Sequence, residues 1–263
     1  MRAQLLLPPH TATSALQVLE RVVGVQAQDA WGARFGIRSR SRGLTQADVE
    51  RERVEDRTFV RAWAMRRTIH LVPSEDFGWI RDLVAPPQIR QSYKRMAEEG
   101  MPPEDAERAR RVVRKILDGG PVTRAEMRQR LAEKGIRPPG RQAVVHLLTL
   151  MTYEGEIVTG PYVGKKETMV LVRDWLREKP PRPPKDPAAE LARRYLLGHG
   201  PASLQDFLWW SSLRAADARA GWTAIADELV EEDGLWRHRS QRKSAAGTRT
   251  VHLLPVFDHY YLG

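Results

Sequence analysis

No cysteine occurs in the 263 residues of this chain. That absence removes disulfide staples, thiolate nucleophiles, iron–sulfur clusters and cysteine zinc sites. Long apolar runs are missing too: none approaches the ~18 residues that a membrane helix needs. The apolar start Leu5-Leu6-Leu7 meets Pro8-Pro9 at once, which is too short for the core of a signal peptide. There is no Gly-x-Gly-x-x-Gly, no phosphate-loop Gly-Lys-Ser/Thr and no Gly-x-Ser-x-Gly, so the common nucleotide-binding and serine-hydrolase readings fall away. The seven histidines never stand at His-x-x-x-His or His-Glu-x-x-His spacing, and Pro255 interrupts the nearest pair, His252 and His259. The sequence therefore implies no metal and no cofactor.

Positive charge is what the composition supplies. Lys and Arg number 43 against 33 Asp and Glu, a formal +10 with a pI near 10.2, and all but eight of the basic residues are arginine. The excess implies an anionic partner. A planar guanidinium suits phosphate oxygens, stacks on bases and enters minor grooves; the plainer alternative is a solvated basic face.

Two proline-rich stretches, Ala85-Pro86-Pro87 with Met101-Pro102-Pro103 and Lys179 to Pro187, read as joints, leaving segments 1–86, 104–178 and 188–263. Each segment holds a Ser/Thr followed three residues later by an acid: Thr45 and Asp48, Thr123 and Glu126, Ser203 and Asp206. These are capped helix starts, and their separations of 78 and 80 residues indicate a repeated unit. In the middle segment, helices are expected over Arg108–Leu117, Thr123–Lys134 and Arg141–Tyr153, then strands over Glu156–Thr159 and Thr168–Val172. The third segment repeats this with helices Ala189–Leu197, Ser203–Ser211 and Arg214–Leu229 and strands Gly234–His238 and Thr248–Leu254, whose joining loop carries Arg239, Arg242 and Lys243. Three helices and a hairpin make a winged helix-turn-helix, commonly a nucleic-acid reader. The expected fold is mainly α with small β wings, in three tandem winged helix-turn-helix units. Trp209-Trp210 at a helix end reads either as core or as a base-stacking platform.

Three motifs then stand in order: Val25-Gln26-Ala27-Gln28-Asp29; Arg61-Ala62-Trp63-Ala64-Met65-Arg66-Arg67-Thr68-Ile69-His70-Leu71-Val72; and Leu253 to Gly263 with Phe257-Asp258-His259-Tyr260 inside. Together they closely resemble the AlkZ-like DNA glycosylases, a bacterial family of tandem winged helices, over essentially the whole chain. The resemblance implies excision of N7-alkylated purines from double-stranded DNA, including the unhooking of interstrand crosslinks, by a monofunctional, monomeric, cytoplasmic and nucleoid-associated enzyme with no membrane partner. It maps the family's Gln-x-Gln pair onto Gln26 and Gln28 as catalytic, and Thr68 and His70 beside the lesion, with Trp63, Arg66 and Arg67 in the same block. Family members continue past the Phe-Asp-x-Tyr block into a C-terminal β-barrel. This chain stops at Gly263, so the barrel is expected to be absent or truncated.

The sparse inventory agrees with that chemistry. An N7-alkylated purine is already cationic and leaves as a neutral base, needing no general acid; two amides can hold a water in line and turn carbonyl dipoles toward an oxocarbenium-like sugar. In extended backbone Gln26 and Gln28 share a side. Asp29 ranks below them, and His70 reads equally as the end of a buried strand. The competing class is a non-enzymatic tandem winged-helix regulator, which would dimerise on a palindrome, and no leucine-rich dimer helix is present.

Overall fold

A computed structural model describes residues 1–137, 140, 142–176, 182–241 and 251–262. All three capped starts form as reciprocal capping boxes. Thr45 Oγ1 accepts from the Asp48 N–H at 3.2 Å while Asp48 Oδ2 accepts from the Thr45 N–H at 2.8 Å, and Thr123/Glu126 and Ser203/Asp206 repeat the exchange. Such caps stabilise a helix by about 1 kcal/mol.

In order the elements are α1 (Ala15–Val22), β1 (Val25–Gln26), α2 (Ala30–Arg38), α3 (Gln46–Arg51), β2 (Phe59–Trp63), β3 (Ile69–Pro73), α4 (Ser74–Glu98), α5 (Pro103–Leu117), β4 (Val122–Thr123), α6 (Arg124–Glu133), α7 (Ala143–Tyr153), β5 (Ile157–Val163), β6 (Lys166–Leu171), α8 (Val172–Trp175), α9 (Pro187–His199), α10 (Leu204–Ser211), α11 (Ala215–Ala224), β7 (Leu229–Glu232), β8 (Leu235–His238) and α12 (His259–Leu262). The chain is mainly helical with a small antiparallel sheet of order β1-β3-β2-β5-β6-β4 and a separate β7-β8 hairpin. Strands β2 and β5 pair at Arg61↔Thr159, so the sheet runs across the expected first and second segments. No helix among the described residues is long and apolar enough to cross a membrane.

The joint expected at Ala85-Pro86-Pro87 is not there: both prolines lie inside α4. Each interior proline costs a helix about 3 kcal/mol. Helix α4 nevertheless persists because it belongs to two cores. Phe77, Trp79, Ile80, Val84 and Ala85 pack in one, Met96 in the other, and Ile89 against both. Burying a large apolar side chain returns about 1.5–3 kcal/mol, so these residues together outweigh the two prolines.

The third hairpin also differs from expectation. The helix expected over Arg214–Leu229 ends at Ala224, and Leu229 opens the strand Leu229–Glu232 that pairs with Leu235–His238, in the register Leu229↔His238 to Glu232↔Leu235. Asp233 (φ 53°) and Gly234 (φ 79°) are both left-handed, the backbone that a two-residue hairpin requires. That local signal overrides helix continuation. The expected partner strand Thr248–Leu254 is non-strand over its described part, 251–254.

Candidate active site

Gln26 ends β1, the short edge strand beside β3, with Gln26 opposite His70. Gly24 admits the approach: its φ is +93°, and a Cβ there would lie 2.8 Å from the Leu71 carbonyl oxygen. From Gln26 to Gln28 the backbone and side chains are pinned from several directions. The Ala27 N–H donates to the Ile69 carbonyl at 2.7 Å. The Ala27 carbonyl accepts from Arg61 Nη2 at 2.9 Å and Nε at 3.2 Å. The Gln28 side-chain oxygen accepts from the Ile69 N–H at 3.3 Å. Gln26 is buried and Gln28 exposed.

Arg66 is the hub. It donates through Nη2 to Gln26 Oε1 at 2.9 Å and through Nη1 to the Trp210 carbonyl at 2.8 Å, with its Cζ 5.5 Å from the centre of the Trp209 ring. Arg66 and Arg67 both sit at positive φ, 55° and 56°, which costs a non-glycine residue about 1–2 kcal/mol. Hydrogen bonds from a charged donor contribute about 1.5–3 kcal/mol each, so the two Arg66 makes hold it in this turn. Burial lowers its pKa to about 10, leaving it cationic at neutral pH.

Arg66 borders a shallow pocket of about 420 Å³ shared with Arg67, Gln88, Leu208, Trp209 and Ser212. Trp209 is 54% exposed and Trp210 fully buried. The tryptophan pair therefore divides between the two roles considered for it. Only Trp209 offers a surface.

Of the other expected site residues, Thr68 is half-buried and its carbonyl accepts from His70 Nδ1 at 3.1 Å. His70 is fully buried, and burial pushes its pKa down to about 3. Trp63, expected as a lesion- or DNA-binding residue, is buried. It belongs to the core of β2, where alternate faces of a central strand are both covered. Asp29 caps α2 by accepting from the Trp31 N–H at 3.0 Å. Arg239 is exposed and donates to the Leu229 carbonyl at 3.3 Å, while Arg242 and Lys243 lie outside the described residues.

Two further partners come from residues that no motif role pointed to. His259 Nε2 accepts from the Gln26 N–H at 3.0 Å. Its neighbour Asp258 receives Arg40 Nη1 and Nη2 at 2.7 and 2.6 Å. A Cβ on Gly36 of α2 would stand 3.2 Å from Asp258 Oδ2, which is how the last segment comes so close. Both residues lie in the Phe-Asp-x-Tyr block, and that block was the available signal.

A basic, mainly helical chain with a pinned amide pair beside an arginine-lined pocket fits an enzyme acting on nucleic acid, and the chain belongs to the AlkZ-like DNA glycosylase family, whose sequence profile matches residues 19–263. It is similar to the interstrand DNA cross-link repair glycosylase of Streptomyces sahachiroi, with 31% identity over 98% of this chain and 73% of that protein. The solved structure of Streptomyces sahachiroi DNA glycosylase AlkZ covers 90% of this chain, and 67% of that chain is matched, with a TM-score of 0.70 at 28% identity. Family membership decides for the glycosylase and against the regulator.

Proposed function

We propose that the chain hydrolyses the N-glycosidic bond of N7-alkylated purines in double-stranded DNA, unhooking interstrand crosslinks among its substrates, as a monofunctional and monomeric enzyme of the bacterial cytoplasm. The observation that carries this is the pinned Gln26-Ala27-Gln28 stretch. Each side-chain oxygen has one lone pair engaged, Gln26 by Arg66 and Gln28 by the Ile69 N–H, and a carbonyl oxygen carries a second. Those second lone pairs accept from a single water and face it toward the anomeric carbon. The same dipoles stabilise the positive sugar as the neutral base departs.

The DNA is held by arginines: Arg66 and Arg67 with Thr68 at the lesion, Trp209 as a stacking face, and Arg239, Arg242 and Lys243 on backbone phosphates. His70 acts behind them, by bonding Thr68 and facing Arg66. We read the chain as a threefold repeat of the winged helix-turn-helix unit expected over 1–86, 104–178 and 188–263, the repeated capping boxes supporting the repeat, with α4 running through the first boundary and one sheet joining the first two units. Incubation with duplex DNA containing N7-methylguanine, followed by alkali, tests the reading. Strand cleavage at the lesion is expected, and its absence under single-turnover conditions with excess protein would refute it.

A further inference from the structure

Three imidazoles gather around Gln26. His70 and His259 are fully buried and His199 partly so, with ring centres 6.2 Å apart for His70 and His259 and 5.6 Å for His199 and His259. Their tautomers follow from their partners. A backbone N–H can only donate, so His259 Nε2, 3.0 Å from the Gln26 nitrogen, carries a lone pair. A neutral His259 then keeps its proton on Nδ1, which faces His199 Nε2 at 3.4 Å. His199 in turn carries its proton on Nδ1, which donates to the Tyr195 carbonyl at 3.2 Å. His70 follows the same pattern: Nδ1 donates to the Thr68 carbonyl, and Nε2 stands 3.5 Å from Arg66 Nη2.

Every donor in the chain of imidazoles meets an acceptor. Because each Nε2 lone pair is turned to a donor, the cluster is arranged for hydrogen bonding rather than for metal ligation.

The imidazoles meet Gln26 where the sheet cannot. Strand β1 lies at the edge, β3 engages the neighbouring Ala27 N–H, and the Gln26 N–H is left to a side chain. The charges around His259 favour its neutral form. Arg66 and Arg40 face it together with His70 and His199, and the adjacent anion, Asp258, is held by Arg40. Burial first, and these charges second, push the His259 pKa well below its ordinary value.

We propose that His259, backed by His199, is a positioning residue for Gln26, holding the backbone of that residue and with it the side-chain amide in the reactive register; this rests on the amide-pair reading above. Single-turnover release of N7-methylguanine by the wild type, His259→Leu and His259→Gln tests it, alongside long-range 1H–15N spectra of histidine-labelled protein. His259→Leu should slow release at least about tenfold while DNA affinity stays within about twofold. His259→Gln, whose Oε1 reaches the place of Nε2, should regain most of the rate. The spectra should show Nδ1–H tautomers at His259 and His199 near neutral pH, the reverse of the free amino acid's preference. Full activity of His259→Leu, equal impairment of both variants, or an Nε2–H tautomer at His259 overturns the proposal. If His259→Leu does not fold, the tautomers decide. If the wild type releases no base at all, the glycosylase reading fails by itself, and the tautomers with the Gln26 amide shift in His259→Gln still judge the positioning.

Discussion

Replacing Arg40 by Met tests how the last segment is held against α2. Arg40 and Asp258 are each about 1% exposed as side chains and bind in bidentate fashion, while Arg40 also donates to the Gly36 carbonyl and to Gln4 Oε1. Stranding a buried carboxylate costs about 3–5 kcal/mol. The segment has little with which to withstand that cost. Val251, Leu253 and Val256 are 83–93% exposed, and Phe257 and Tyr260 about 40%, so each of the latter two contributes at most about 1–2 kcal/mol. The His259 hydrogen bond adds about 1 kcal/mol, and every ordered residue costs about 1–2 kcal/mol of backbone entropy. Letting Asp258 out into water is therefore cheaper than keeping it buried. Arg40→Met should undock residues 251–262 while the rest stays folded: the unfolding free energy in urea should fall by less than about 1 kcal/mol, the Gln26 amide should lose hydrogen-exchange protection, and chymotrypsin should cut at Tyr260 or Tyr261 under native conditions. Adding Asp258→Leu should redock the segment, since an apolar pair replaces an ion pair at little cost. A fall of the full 3–5 kcal/mol with the Gln26 amide still protected would refute the reasoning.

Gln28→Ala should reduce base release at least about a hundredfold with unchanged DNA affinity, a loss confined to the transition state; Gln26→Ala should also destabilise by about 1–3 kcal/mol, because Arg66 loses a buried acceptor, and equal activity of the double variant would remove both residues from the mechanism. Replacing Arg239, Arg242 and Lys243 should flatten the dependence of log K on log salt by about 0.9 for each phosphate no longer neutralised, and an unchanged slope would place the DNA elsewhere. An oligonucleotide panel should show release of N7-methylguanine and of bulky N7 adducts but not of uracil or 8-oxoguanine, whose departure requires acid or anion stabilisation that amides do not supply; efficient uracil release would reveal an acid. Because burial holds His70 and His199 neutral, with pKa values near 3 and thus below the unfolded value of 6.5, the unfolded chain takes up their protons first as pH falls. Stability should therefore be greatest above pH 6.5 and decline between 6.5 and 3 by about 1.4 kcal/mol per pH unit for each such histidine, and a urea midpoint unchanged from pH 7 to 5 would contradict their burial.

What is legible in the sequence is mostly local chemistry. A threonine or serine followed three residues later by an acid makes the same hydrogen bonds wherever it occurs, so all three capping boxes form. The middle hairpin, with alternating strands about Gly164, likewise falls within one residue at its start. Expectation fails where distant partners or a stronger local signal decide the outcome. Pro86-Pro87 marks a break by its own chemistry, yet two cores hold α4 through it. The hairpin about Asp233-Gly234 begins at Leu229 and ends the helix expected over Arg214–Leu229 early, at Ala224. Trp63 reads as a possible DNA contact until both faces of β2 are seen to be covered. At the site, Gln26 and Gln28 stand out as a motif, but their surroundings do not, since Arg61, Arg66 and His259 reach them from separate elements and no periodicity links residue 26 to residue 259.

The hydrogen bond from Gln26 to His259 spans 233 positions of sequence, and this sets an order of assembly. During synthesis the amide pair and its sheet partner leave the ribosome early, while the imidazole that completes their surroundings follows only after α11 and the β7-β8 hairpin. A nascent chain that has already folded its first core still lacks a finished Gln26 backbone. The Gln26–His259 hydrogen bond thus forms only once translation has passed residue 259, and a proteolytic cut ahead of that residue removes it.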